Sequence, residues 1–450
     1  MCGFLFVSSK EIIKYSDNLA FNDASLKKRG PDAKSVYERG RFLFVHYLLS
    51  ITGNYAFQPK VEGERVAMFN GEIYNYKEFY EDEIQAIATV KLTEECIMER
   101  LSLINGEYAG LLFDDNEGVV LAFTDHFGTK PLWIGYSNEN EDWGLCSYPD
   151  VMIKLGLTKV ARLKPATAYL FNNMNGSILK KIAHSQFSLR QYKENYDDWF
   201  AAFEQSIHHR TDSQHQIIVP LSSGYDSGCI AAACSRLSKK VNYATIKAEE
   251  DQNIMELRSR ILGTSLLEII PSEIDREHHG NMLKRYTPDL RYNKYIPHAS
   301  NLMSEDPGAM GLSIICDYAR RELDARILLS GQGADEVYSD YGFKGIKFSR
   351  SSHLAGLFPE DLNNVFPWPN FYSGVNKCYL LKDEYVTGAH SIEGRYPFLD
   401  RLLVQEFIWL KNDLKNNRYK APLAEYLDEF DFPFKENEKR GFNAFAGIPQ

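Results

Sequence analysis

Cys2 stands where removal of Met1 would leave a thiol and a free α-amine on one residue. An α-amine titrates near ~8 and a thiol near ~8.5, so the amine can take the thiol's proton close to neutral pH. Nucleophile and base then need no partner from elsewhere in the chain. Asn70-Gly71 is the next informative pair. A glycine lets the backbone turn tightly and bring its N–H close to a bound atom, and the Asn side chain beside it adds two donors. That is the equipment of an oxyanion site for acyl transfer, although Asn-Gly is also a common hairpin turn. Farther on, the apolar run 217–221 leads into Ser222-Ser223-Gly224-Tyr225-Asp226-Ser227. A strand, a Ser/Gly turn and a helix N-terminus together form a nest of N–H donors suited to a phosphate.

Cys2-Gly3, Arg29-Gly30-Pro31-Asp32, Asn70-Gly71-Glu72-Ile73-Tyr74-Asn75 and Asp125-His126-Phe127-Gly128-Thr129-Lys130-Pro131-Leu132 occur in the order found in class II glutamine amidotransferases. The set resembles the N-terminal half of glutamine-dependent asparagine synthetases. The resemblance implies that Cys2 attacks the glutamine amide, that Asn70 and Gly71 hold the oxyanion, and that Glu72 lies close to the substrate amine. It implies a glutamine site taking in Leu48, Ser50, Asn70, Glu72 and Thr93. Two of these depart from the family pattern. Leu48, in His46-Tyr47-Leu48-Leu49-Ser50-Ile51, stands where the family carries the Arg that clamps the glutamine carboxylate. Thr93, in Thr93-Glu94-Glu95, stands where it carries the Asp that holds the ammonium. Losing one partner of a desolvated charge pair costs about 3–5 kcal/mol, at least a hundredfold in affinity. The hydrolytic residues are thus retained while the usual glutamine reader is not.

The second half resembles the ATP-pyrophosphatase domain of the same family, whose loop usually reads Ser-Gly-Gly-x-Asp-Ser; Ser223 replaces the first glycine. Leu329-Ser330-Gly331-Gln332-Gly333-Ala334-Asp335-Glu336 is similar to its second ATP segment. The resemblance implies an ATP site at Leu221, Ser222, Ser223, Gly224, Asp226, Ser227, Thr245, Ser330, Gly331 and Gln332. It makes Asp226 and Asp335 the carboxylates that hold Mg²⁺ against the triphosphate. Glu393, in the block Ser391-Ile392-Glu393-Gly394-Arg395-Tyr396-Pro397-Phe398-Leu399-Asp400, and Lys439, in Glu438-Lys439-Arg440-Gly441-Phe442, are the implied catalytic residues. Gln332 is a third departure. Asparagine synthetases carry a Glu there, and the β-lactam-forming relatives a Tyr paired with the Glu of the later block, here Glu393. A glutamine is nearly isosteric with glutamate but cannot act as a base.

Two kinds of scaffold must position these residues. Short β-rich runs at 42–46, 66–69, 110–113, 119–123 and 132–136, punctuated by Gly, Asn or Asp, predict packed antiparallel sheets, with a helix near 94–103. From about 197 the pattern changes to buried strands at 216–221, 241–246 and 325–330 with helices between, including 198–209 and 228–237. Such alternation predicts a parallel, helix-covered sheet. With the resemblance, the expected fold is an α+β N-terminal nucleophile hydrolase sandwich (αββα) over residues 2–185. A polar linker follows at 186–196, then an α/β parallel-sheet ATP-pyrophosphatase domain (adenine nucleotide α-hydrolase-like) over 197–450. Residues 358–373, rich in Pro, Asn and aromatics, read as a long loop, a lid or a partner surface.

The 450 residues are too many for one ordinary core, and 44% hydrophobic with 25% charged residues is the balance of a globular protein. A net charge of −10 argues against nucleic acid and anionic membranes as partners. No apolar run reaches a membrane span, and the N-terminus lacks a signal-peptide layout. Seven cysteines without a close CxxC pair suggest reduced thiols in the cytoplasm. His208-His209 and His278-His279 read as surface polar pairs rather than metal ligands. The leading expectation is a ligase that forms a C–N bond, with glutamine as amide donor, ATP and Mg²⁺ as cofactors, and aspartate as default acceptor through an acyl-adenylate. A homodimer is the assembly left open. Two alternatives stand beside it. One is a synthetase using free ammonia or another amine, as the β-lactam and peptide-cyclising relatives do, on aspartate or another carboxylate. The other is a non-catalytic scaffold on this fold.

Overall fold

The computed structural model describes residues 2–52, 56–78, 82–139, 141–184, 186–247, 250–289, 302–437 and 444–445. The chain divides into two compact units. The first holds Met1–Gln186 with the short pieces Arg285–Asp289 and Gly388–Ser391; the remainder forms the second.

Two six-stranded antiparallel sheets make the middle of the first unit. One runs in the order Lys159–Arg162, Trp133–Tyr136, Trp143–Cys146, Gly3–Ser8, Phe42–Leu48, Ala33–Arg39. The other runs Ile178–Ala183, Thr167–Asn172, Val119–Thr124, Gly106–Asp114, Arg65–Ile73, Lys60–Glu62. Side chains alternate across a strand, so Phe4 and Phe6, Phe42 and Phe44, and Val66 and Met68 all point into one shared core. Helices Ile12–Asn22, Ala24–Arg29 and Pro149–Lys154 cover the outer face of the first sheet. Helices Glu83–Ala88 and Glu94–Leu103 cover the second, over a separate apolar layer containing Phe69, Ile87, Ile97 and Leu121. The expected αββα sandwich is therefore present.

The second unit is built on a five-stranded sheet in the order Leu267–Ile269, Asn242–Ile246, Ile217–Pro220, Ile327–Leu329, Glu393–Arg395, every pair parallel. From the central strand Ile217–Pro220 the chain first builds outward to one side and then returns to build the other. The strand ends on either side of that reversal, at 220 and 329, are where an open α/β sheet leaves a crevice for a ligand.

Two expectations need correction, and the polar stretch after Gln186 is hydrogen-bonded in place. Tyr192 and Lys193 donate their N–H groups to Trp409 O, Lys411 N–H donates to Lys193 O, and Ser188 N–H donates to Gln405, so it lies along the helix Arg401–Trp409. Residues 358–373 are not a lid. Phe358, Leu362, Trp368 and Phe371 are buried, and Trp368 Nε1 donates to Glu336 O at 2.7 Å. Three of the aromatics that marked the stretch, Phe358, Trp368 and Phe371, are core side chains, the last from the short helix Pro369–Tyr372. His279 is not a surface residue; it is buried, with Nδ1 2.8 Å from Ser313 Oγ. Among the described helices none is long and apolar enough to cross a membrane.

Candidate active sites

The first site lies where the core of the sandwich ends. Gly3 pairs with Tyr47, which sets Cys2 beside Leu48 in register. Cys2 is two residues before Phe4, Leu48 four after Phe44 and Asn70 two after Met68, so the period of two aims all three at the inter-sheet side. Cys2 N–H donates to Asn70 Oδ1 at 2.8 Å. With that oxygen held, the buried Asn70 Nδ2 has no hydrogen-bond partner among the described residues. It is a desolvated donor waiting for an acceptor, as an oxyanion site requires. Gly71 follows at φ +126°, a conformation open to glycine, and a Cβ there would lie 1.9 Å from Glu107 O. Arg29 Nε donates to Cys2 O at 2.7 Å and fixes the backbone of Cys2.

His46 shares the inward face, but burial lowers its pKa to about 3 and its Nε2 lies 3.3 Å from Phe69 O. It is a neutral structural group and is poorly suited to act as a base near neutral pH. The glutamine-reading positions are less complete. Leu48 is a buried apolar side chain next to Cys2 in the ladder, and Ser50 N–H donates to Asp32 Oδ2 at 2.8 Å. Glu72 is buried on the same strand as Asn70. Thr93 is exposed at the N-cap of Glu94–Leu103, where its hydroxyl accepts from Cys96 N at 3.3 Å. A β-branched hydroxyl residue there is a helix cap, which is a sufficient reason for its presence.

The second site is a cavity of about 490 Å³ at the carboxyl ends of Ile217–Pro220 and Ile327–Leu329. Leu221, Ser222, Gly224, Asp226 and Ser227 line it from the first strand end, and Ser330, Gly331, Gln332 and Asp335 from the second. Ser222 Oγ lies 2.8 Å from Ser227 Oγ, closing the turn, and Gly224 caps the helix Tyr225–Arg236, which begins three residues before the sequence pattern indicated. The loops touch closely: a Cβ on Gly331 would lie 2.9 Å from Asp226 Cβ. Ser223 and Thr245 are buried but not in the cavity wall. The Ser223 N–H and hydroxyl both donate to Glu250 Oε2, at 2.6 Å each. Thr245 belongs to the neighbouring strand, whose Ala244 and Ile246 form the wall instead.

Glu393 is likewise drawn away. It lies on the sheet edge, fully buried, with Oε1 accepting from Arg395 Nε at 2.7 Å, and it is not in the wall. Burying a carboxylate in a strand demands a paired cation, and Arg395 provides it. Lys439 lies outside the described residues. The tail just before it is held against the loop, since Asn437 N–H donates to Tyr225 OH at 2.9 Å.

Sequence reasoning missed the residues that join these parts. Lys420, almost fully buried, places Nζ 2.6 Å from Asp226 Oδ1 and 2.8 Å from Asp335 Oδ1. Burial opposes its charge, but the two carboxylates more than compensate and keep the ammonium well above its usual range. Tyr419 OH donates to the same Asp335 oxygen at 2.8 Å. Arg258 donates to the carbonyls of Ser222, Gly224 and Pro433, tying the loop to the C-terminal tail. Such partners are up to 194 residues apart in sequence, and no spacing rule finds them. The two aspartates meet at one cation, so their all-oxygen donors fit a hard cation that takes its other ligands from phosphate and water. Among the described residues no group of three or more His, Cys, Asp or Glu would enclose a metal by itself.

Residues 1–186 match the family model described as a glutamine amidotransferase domain, and residues 199–365 that described as asparagine synthase. The chain is 26% identical over 400 residues to a putative asparagine synthetase (glutamine-hydrolyzing) 1 of Methanocaldococcus jannaschii, covering 81% of this chain and 69% of that protein. It is 23% identical over 431 residues to a probable asparagine synthetase (glutamine-hydrolyzing) of Schizosaccharomyces pombe, covering 89% and 74%. It is 23% identical over 404 residues to asparagine synthetase B (glutamine-hydrolyzing) of Escherichia coli, covering 84% and 69%.

Proposed function

The chain belongs to the glutamine-dependent asparagine synthetase family, and we propose that it amidates aspartate to asparagine with ATP, drawing ammonia from glutamine at Cys2. The observation that carries this reading is the cavity at the reversal point of the parallel sheet, where the 222–227 loop, Asp226, Asp335 and Lys420 converge. In the proposed reaction the substrate carboxylate attacks the α-phosphate of ATP, giving an acyl-adenylate and pyrophosphate. The 222–227 loop and Lys420, joined by Lys439, stabilise charge on the phosphates. Asp226 and Asp335 would hold Mg²⁺, whose contribution is neutralisation of phosphate charge. Ammonia then displaces AMP. In the first unit Cys2 attacks the glutamine amide while Asn70 Nδ2 and Gly71 N–H receive the oxyanion.

A specific observation favours a second reading, in which the synthetase works on free ammonia. Leu48 is apolar beside Cys2, and the Thr93 hydroxyl is engaged as a helix cap. One experiment separates the two: pyrophosphate release with aspartate and a panel of other carboxylates, given either glutamine or ammonium chloride, for the parent protein and Cys2→Ala. Asparagine formed from glutamine and lost in Cys2→Ala supports the first reading. Activity with ammonium alone, indifferent to Cys2→Ala, supports the second. No pyrophosphate with any carboxylate rejects both.

A further inference from the structure

Six carboxylates line the ATP-site cavity, and five have another task. Asp226 and Asp335 bind Lys420, and Glu250 binds Ser223. Glu336 accepts from Tyr341 OH and Gly333 N–H, and Asp306 caps the helix Pro307–Leu323. The sixth is Asp383. It lies on the helix Gly374–Gly388, where Tyr379, Lys382 and Asp383 occupy positions i, i+3 and i+4 and so share the face that lines the cavity. Ser330 Oγ donates to Asp383 Oδ2 at 2.6 Å, and the Gln332 carboxamide hydrogen-bonds to the same carboxylate. Lys382 Nζ lies 3.8 Å from Oδ1. A carboxylate is therefore fixed against the one side chain, Gln332, where the family's own carboxylate is missing.

We propose that Asp383 provides the carboxylate that Gln332 lacks, accepting the proton that the amine nitrogen sheds as the amide forms. This rests on the ligase reading above. The ammonia nitrogen bonds to the acyl carbon, the bond from that carbon to the AMP oxygen breaks with its electron pair leaving on AMP, and the surplus proton passes to Asp383 and then to solvent. Gln332 and Ser330 orient the accepting oxygens. Burial raises the Asp383 pKa, against the lowering influence of Lys382, Ser330 and Gln332, which makes it a stronger base than a surface aspartate.

The test compares the half-reactions in Asp383→Asn and in the double variant Gln332→Glu/Asp383→Asn. Carboxylate-dependent exchange of pyrophosphate into ATP reports adenylation, and ammonium-dependent amide formation reports the amine step. In Asp383→Asn, exchange is expected to stay within about threefold of the parent while amide formation falls by about 10²–10⁴. The double variant moves the carboxylate across the same hydrogen bond and is expected to recover at least a tenfold gain over Asp383→Asn. Unchanged amide formation overturns the proposal. So does an equal fall in both half-reactions without recovery in the double variant, since that is the behaviour of a structural residue. A parent protein that shows no exchange with any carboxylate removes the ligase reading and this inference with it.

Discussion

Lys420→Met is a direct probe of the second site, because it removes one charge while leaving the length of the side chain. Nζ is shared by Asp226 and Asp335 at 2.6 and 2.8 Å. At an effective dielectric constant of about 20, each contact carries about 6 kcal/mol of raw attraction. Desolvation of the ammonium cancels several kcal/mol of that, so breaking such a buried arrangement costs about 3–5 kcal/mol net. The variant also leaves two carboxylates whose oxygens are at most about 5.4 Å apart, the two contacts end to end, with about 3 kcal/mol of mutual repulsion. The Asp226 side chain is 26% exposed, and water on that side moves the loss toward the lower end. The assay is urea unfolding with and without millimolar Mg²⁺, following the second unit by amide exchange in the helix Ala421–Glu429, since a two-unit chain need not unfold in one step. The expected result is a loss of about 3–5 kcal/mol, with Mg²⁺ restoring more stability to the variant than to the parent because it replaces the missing cation. A loss under about 1 kcal/mol, or equal stabilisation of both proteins by Mg²⁺, refutes the reasoning.

Gly71→Ala places a methyl 1.9 Å from Glu107 O at φ +126°, so the strand must shift by about an ångström. Thermal unfolding should show a loss of about 1–3 kcal/mol, and any glutaminase rate should fall about a hundredfold or more. Leu48→Arg returns a guanidinium to the inward face beside Cys2. The KM for glutamine in a glutamate-release assay should fall at least about tenfold, and an unchanged KM would mean that Leu48 does not govern substrate entry. His46 is held near 3 while the unfolded chain binds its proton below about 6.5, so the unfolded state is protonated first and stability falls as pH drops through that window. The slope is about 1.4 kcal/mol per pH unit, and His46→Gln should flatten it between pH 6.5 and 5, where most carboxylates are still ionised.

The local patterns in the sequence identified most elements because one rule governs them. β-rich runs bounded by Gly, Asn or Asp located the strands at 42–46, 66–69 and 119–123, and the apolar runs located the parallel sheet, since burial on one or both faces writes itself directly into residue order. The loop at 222–227 was legible because strand-to-helix turns have their own residue types, and that at 330–335 through its likeness to the family's second ATP segment. What stayed hidden depends on tertiary partners. Lys420, in the turn before the helix Ala421–Glu429, and Asp383, on the helix Gly374–Gly388, look like ordinary charged residues until tertiary partners reach them. Glu393 is held in the sheet by Arg395, two residues on, a pairing that its sequence block does not announce. Thr93 caps the helix Glu94–Leu103, a local role that its residue type announces. The 358–373 stretch was misread because its Pro and Asn residues mark irregular backbone, whereas its aromatics decide where that backbone lies.

Cys2 and Asn70 hang from different sheets, and the rings of Phe6, Phe42, Phe44 and Phe113 fill the space between those sheets. The aromatic layer is therefore a shim. Its thickness fixes the gap between the Cys2 sulfur and the Asn70 amide, so on the proposed reading a core substitution far from any substrate would detune the chemistry without touching either group.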